Sequence, residues 1–128
     1  MIPVTCAIIR RNGKILAAQR ADDTHLGGQW EFPGGKVDEG ESDEACIVRE
    51  IREELGIEIA PRRRLVDNSH DYGDKQIRLI PFECDLVSGE PVAREHASIT
   101  WVEIDELASL DWCEADKPIV KQLQDEER

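Results

Sequence analysis

The chain lacks the spacings that would point to thiolate chemistry or a membrane. No two of its four cysteines, Cys6, Cys46, Cys84 and Cys113, form a CxxC pair. No zinc site assembles by spacing, and small buried side chains in a reducing compartment are the expectation. No apolar run approaches the roughly 18 residues of a membrane span. The opening MIPVTCAIIRRNGK meets charge too early for a signal peptide, so a cytoplasmic location away from membranes is expected. An excess of basic residues is also missing: 16 Lys and Arg stand against 28 Asp and Glu, a net charge of -12. That argues against a nucleic-acid polymer as partner, because phosphate backbones are gripped by Lys and Arg. A small polyphosphate stays possible if divalent cations sit between the two sets of negative charge.

Linkers, repeats and low-complexity stretches are absent as well. With 128 residues, 40% hydrophobic and 34% charged, the chain reads as one folded domain over 1–128, its tail from Gln124 to Arg128 expected to be disordered. PVTCAIIRRNGKILAAQR reads as two strands joined at Asn12-Gly13, a strong hairpin signal. A glycine-rich loop runs from Asp22 to Gly40. Ser42 is placed to cap a helix with Asp43 and Glu44 at its positive end; Ile47, Ile51 and Leu55 form its apolar stripe, and Gly56 stops it. IEIAPRRRLVD, QIRLIPFECDLV and SITWVEI read as further strands. A short helix is expected near Asp105–Leu110 and a last one from about Asp116, with Pro118 in its first turn and Ile119, Val120 and Leu123 inward. The elements follow no regular βαβ rhythm, which favours an α+β fold with a mixed sheet.

The charge pattern of the first helix is unusual. Glu50, Glu53 and Glu54 crowd one side of it, with Arg49 and Arg52 interleaved, and like charges at such spacings cost about 0.2–0.5 kcal/mol per pair. The preceding PGGKVDEGE is rich in glycine and carboxylate, so backbone carbonyls can approach a ligand closely. A loop carbonyl and three helical carboxylates make an oxygen-only donor set suited to Mg²⁺ or Mn²⁺. Such ions serve phosphoryl chemistry, which points to a phosphate substrate.

Gly35, Glu41 and the run Arg49-Glu50-Ile51-Arg52-Glu53-Glu54-Leu55-Gly56-Ile57 stand at the spacing of a complete Nudix box. The chain therefore resembles the Nudix hydrolases. QRADDTHLGGQWEFPGGK and WCEADKPIV further resemble the MutT-type branch, which acts on nucleoside triphosphates. The resemblance implies the Nudix α/β/α sandwich, with the box forming a loop–helix–loop. It implies Mg²⁺ held by Glu50, Glu53, Glu54, Glu95 and the Gly35 carbonyl, Arg49 orienting Glu50, and Glu41 supporting the loop. The implied reaction is attack of an activated water on the triphosphate, giving a nucleoside monophosphate and pyrophosphate, with Glu50 or Glu53 as base.

Around this centre each remaining residue has a plain reading and a functional one. Lys36 is a surface lysine or a phosphate contact. Arg20 makes a surface ion pair or touches substrate. Phe32 is core or a wall of a base pocket, while Trp30 is core. Asp74, with Lys75, is a hairpin turn or a substrate contact. His25, His70 and His96 make no ligand spacing. Asp116 is a helix cap or, by the resemblance, the reader of the base edge. MutT-type enzymes that prefer oxidised guanine commonly carry Asn there. Asn both donates and accepts, whereas an ionised Asp only accepts.

An oxidised purine triphosphate such as 8-oxo-dGTP is the first expectation for substrate. CTP, dCTP or a 5-modified pyrimidine triphosphate is second. A hydrolase of ADP-ribose or a nucleotide sugar, and a non-catalytic Nudix-fold binding domain, are the rivals; the box carries all its glutamates, and the chain begins almost at its first strand. A monomer or weak homodimer is expected.

Overall fold

A computed structural model of the chain describes residues 1–127. Strands β1 (Ile2–Arg11) and β2 (Lys14–Gln19) form the expected hairpin, and Asn12 and Gly13 both take positive φ, at 53° and 78°. Two positive φ angles in a two-residue loop give a turn whose twist matches the strands it joins. The loop from Asp22 to Gly40 is less irregular than its composition suggests. It holds two short strands, β3 (Trp30–Glu31) against β2 and β4 (Gly34–Lys36) against β1. Glycine-rich sequence hides them, because their order comes from pairing with β1 and β2 rather than from β propensity.

Helix α1 (Asp43–Leu55) begins where Ser42 Oγ accepts the Ala45 amide at 3.1 Å and ends at Gly56, in the left-handed region with φ 71°. Strands β5 (Glu58–Arg64), β6 (Asn68–Asp71), β7 (Gln76–Ser88) and β8 (Ser98–Glu103) follow. β6 is invisible in the sequence, where NSHD has no apolar alternation; it exists through its antiparallel pairing with β7. The helix expected near Asp105 is a 3₁₀ turn over Ile104–Ser109. A second 3₁₀ turn, Glu114–Asp116, leads into α2 (Lys117–Glu126). The tail expected to be disordered is therefore helical as far as Glu126, and Arg128 lies outside the described residues.

The sheet is mixed. Its order is β3-β2-β1-β7-β5, with β4 on β1, β6 on β7 and β8 on β2; β1 and β7 run parallel and the other pairs antiparallel. Strands alternate their side chains between faces, and β1 and β2 are covered on both. Cys6, Ile8, Ile15 and Ala17 pack with Phe32, Trp112, Ile119 and Leu123 on one side. Ala7, Ile9 and Leu16 pack with Ile47, Ile51 and Leu55 on the other. This explains why CAIIRR and ILAA read as nearly continuous apolar runs. Ile47, Ile51 and Leu55 are fully buried, each contributing about 1.5–3 kcal/mol by burial, and they anchor α1 with its acidic side turned toward β4. Among the described residues no helix is long and apolar enough to cross a membrane.

Candidate active site

The crowding of carboxylates on α1 is relieved within the chain by Arg49. Its guanidinium donates to Glu41 through Nε at 2.7 Å and Nη2 at 2.9 Å, to Glu50 through Nη1 at 2.9 Å, and to Glu53 at 3.2 Å. Charge-assisted forks of this kind fix orientation as well as charge. Held by Arg49 and by the Asp38 amide, the Glu41 carboxyl drops to about 2. Glu41 thus ties the loop to the helix, in the place the resemblance implies.

Glu50 and Glu54 face inward from the same helix, and they differ. Burial raises the Glu50 carboxyl, with Arg49 opposing the rise. Glu54 is more deeply set, 5% exposed, and its Oε1 is buried without a hydrogen-bond partner. Burial, then the charges of Glu31, Glu50 and Glu95, push it up to about 9, and a hydrogen bond from the Gly34 amide opposes them. The sequence places Glu54 beside the apolar stripe; the structure places it inside the protein. Glu53 is exposed. Glu95, on the loop before β8, is exposed too, and lines a cavity of about 230 Å³ with Glu50, Glu54, Glu31, Gly34, Arg20 and His96.

Gly34 and Gly35 let α1 and β1 come this close to β4. A Cβ on Gly35 would lie 2.3 Å from the Glu50 carboxylate, and one on Gly34 would lie 2.0 Å from the Thr5 carbonyl oxygen. The Gly35 carbonyl, expected to face a metal, instead accepts from Thr5 Oγ1 at 3.3 Å and lies opposite Thr5 in the β1–β4 ladder. Backbone groups alternate direction along a strand. Pro33 O and the Val37 amide bond to β1, so Gly35 shares their direction and Gly34 faces the carboxylates.

A second cavity, of about 260 Å³, adjoins the first, sharing Arg20, Glu31 and Gly34 with it. Phe32, Cys6, Cys113, Tyr72 and Asp116 line it. Phe32 is both core and wall: it is 2% exposed and stacks on Trp112 with ring centroids 4.6 Å apart. Trp30 packs half-buried against the same cluster. Asp116 precedes α2 without capping it; its Oδ1 accepts the Phe32 amide at 3.1 Å. Burial, followed by the charge of Glu31, raises its carboxyl well above the ordinary value. Lys36 and Lys75 line this cavity, whereas Asp74 is an exposed residue of the β6–β7 turn and does not line it.

Arg20 bonds to the His25 carbonyl at 2.6 Å and to Glu31 Oε1 at 2.9 Å, so its ion pair belongs to the boundary between the cavities. Glu31 has no role marked in the sequence, and His96 shows there only that it makes no ligand spacing. The available signal was a lone carboxylate between two aromatics in WEF, just before the glycines. All four cysteines are free and buried, as expected; burial pushes Cys46 to about 11 and Cys84 and Cys113 to about 12, leaving inert thiols. Among the described residues the tightest acidic group is Glu103, Asp105 and Glu106, exposed and outside both cavities.

The arrangement joins a cleft rich in carboxylates to a slot of mixed apolar and polar lining. The cleft donors fit a hard divalent cation, and the orphaned Glu54 oxygen is one such donor. A family model described as NUDIX domain matches residues 1–123. The CTP pyrophosphohydrolase of Escherichia coli is 37% identical over 121 residues, covering 94% of this chain and 90% of that protein. The 8-oxo-dGTP diphosphatase of the same organism is 31% identical over 124 residues, covering 96% of each. A MutT NUDIX hydrolase from Burkholderia pseudomallei, solved by crystallography, superposes with a TM-score of 0.81 at 32% identity over 94% of this chain and 96% of that one.

Proposed function

The chain belongs to the NUDIX family, and from that premise we propose that it is a Mg²⁺-dependent nucleoside triphosphate pyrophosphohydrolase of the MutT type, clearing oxidised nucleotides such as 8-oxo-dGTP. The observation that carries this reading is the junction of the two cavities. A carboxylate cleft suited to a cation and triphosphate adjoins, at Arg20, Glu31 and Gly34, a slot lined by Phe32 and Asp116. Glu50, Glu53, Glu54 and Glu95 would hold the metal, with Mn²⁺ a workable substitute. When bound, the metal shields the phosphate oxygens and acidifies water.

The protein's own groups then divide the work. Glu50, steadied by Arg49 at 2.9 Å, is the base that takes a proton from water, with Glu53 on the same guanidinium as its alternate. Arg20 and Lys36 hold phosphate or base at the mouth of the slot. Asp116, whose carboxyl burial raises, keeps Oδ1 on the Phe32 amide and has its other oxygen for the base edge, where a protonated hydroxyl both donates and accepts. Pyrophosphate and a nucleoside monophosphate leave.

A second reading, a CTP or 5-modified pyrimidine triphosphate pyrophosphohydrolase, rests on the carboxyl of Asp116, which accepts from an exocyclic amine once ionised. The likeness to the CTP pyrophosphohydrolase supports it. Competitive turnover of 8-oxo-dGTP, dGTP, CTP, dCTP and 5-methyl-dCTP with Mg²⁺ separates the two. Preference for 8-oxo-dGTP upholds the first and preference for cytosine nucleotides the second. Glu53→Gln should lower turnover by several orders of magnitude with the fold intact; unchanged turnover removes the assigned site.

A further inference from the structure

We propose that His96 is a positioning residue, which holds Glu31 and through it fixes the Arg20 guanidinium at the passage between the two cavities. This rests on the reading of the site as a triphosphate hydrolase.

Arg20, Glu31 and Gly34 line both cavities, so a ligand with its base in one and its phosphates in the other passes them. Glu31 is held at both oxygens, Oε1 by Arg20 Nη1 at 2.9 Å and Oε2 by His96 Nε2 at 2.8 Å. An ionised carboxylate only accepts, so the ring nitrogen facing it is the donor. The His96 side chain is 6% exposed, and its Nδ1 is buried with no partner. Glu31 is therefore the one polar tie of this ring among the described residues. That is an expensive way to fill space, and it marks the ring as serving the carboxylate.

The Arg20–Glu31 pair is 27% and 19% exposed at its side chains. Pairs with that much solvent access exchange partners readily. The buried His96 contact removes that freedom from Glu31. Arg20 is then pinned through Nε by the His25 carbonyl and through Nη1 by Glu31. Two fixed N–H directions define the plane of a guanidinium, and its remaining edge is presented to the passage already oriented. Orientation before binding lowers the cost of binding and leaves the chemical step alone.

The test compares His96→Ala, Glu31→Ala and the double variant with wild type, each Mg²⁺-loaded and turning over one nucleoside triphosphate. His96→Ala should raise KM about tenfold and hold kcat within about twofold. The Mg²⁺ concentration for half-maximal rate should not move, and His96→Ala should add nothing on the Glu31→Ala background. A fall in kcat at constant KM, a weakened Mg²⁺ response, or additive effects would overturn the proposal, placing His96 in support of its neighbour Glu95 instead. Should the alanine variant not fold, His96→Gln and His96→Leu ask the same question. Gln keeps a donor and should hold KM near wild type, Leu should raise it, and equal values overturn the role. A wild-type protein that turns over no triphosphate would refute the functional reading itself and remove this proposal with it.

Discussion

Asp116 Oδ1 accepts the amide of Phe32 at 3.1 Å, joining residues 84 positions apart in the chain. The bond spends one carboxyl oxygen on fixing the pocket wall and leaves the other for a ligand. It also accounts for a helix α2 that starts without a side-chain cap.

The first prediction concerns that carboxyl. Its folded value is raised, so the native state keeps a proton that the unfolded chain has lost. The stabilisation is present below the unfolded value and is lost as pH rises through the folded one. Asp116→Asn removes this titration while keeping an acceptor for Phe32. The variant should melt close to wild type below the unfolded value of 3.8 and increasingly above it as pH rises to the alkaline range. If the buried acid works protonated, it already acts as donor and acceptor, and the ratio of kcat/KM for 8-oxo-dGTP to that for CTP should change less than about fivefold at pH 7. A reversal of that ratio would show that Asp116 works ionised.

Glu54 gives the same sign with a defined window. Its carboxyl stands at about 9 against 4.5 in the unfolded chain, so metal-free stability should decline as pH rises through that interval. Glu54→Gln, which imitates the protonated form, should match wild type near pH 5 in chelator and melt higher at pH 9. Mg²⁺ competes with that proton, so the rise in Tm on adding it should be larger at pH 8 than at pH 6, and largely absent in the variant. A pH-independent Mg²⁺ effect would exclude Glu54 from the cation site.

Neighbouring glycines should fail differently. A Cβ at Gly35 meets the movable end of Glu50, whereas one at Gly34 meets the backbone of Thr5 and Cys6. Gly35→Ala should fold and lose turnover by displacing Glu50 from Arg49. Gly34→Ala should lower Tm by many degrees, because β4 cannot stay on β1. Thermal melts beside kinetics distinguish the two, and similar melts would mean that β4 has room to shift.

Ser42→Ala should cost about 1 kcal/mol, the usual worth of a helix N-cap. Its bond to the Ala45 amide lies at the far end of α1 from Glu54. Chemical denaturation should show the loss while kcat stays near wild type; a large fall in kcat would couple the cap to the site.

Much of this was legible in the sequence because it is local. The Asn12-Gly13 turn, the Ser42 cap, the Ile47-Ile51-Leu55 stripe and the Gly56 stop depend on residues within a few positions of one another, and φ preferences and side-chain spacing encode them directly. The closeness of Glu50, Glu53 and Glu54 is local too, since helical spacing alone sets them within little more than a turn of α1. Tertiary structure decided the rest. β3, β4 and β6 exist through partners far away in the chain, and so does the direction in which the Gly34 and Gly35 backbone groups point. Burial separates Glu54 from Glu53 although they are adjacent, because α1 packs one inward and leaves the other in water. The Arg20–Glu31–His96 chain and the Asp116–Phe32 bond join segments from opposite ends of the sequence. No local pattern specifies such contacts, because their partners lie far apart in the chain and meet only in the folded structure.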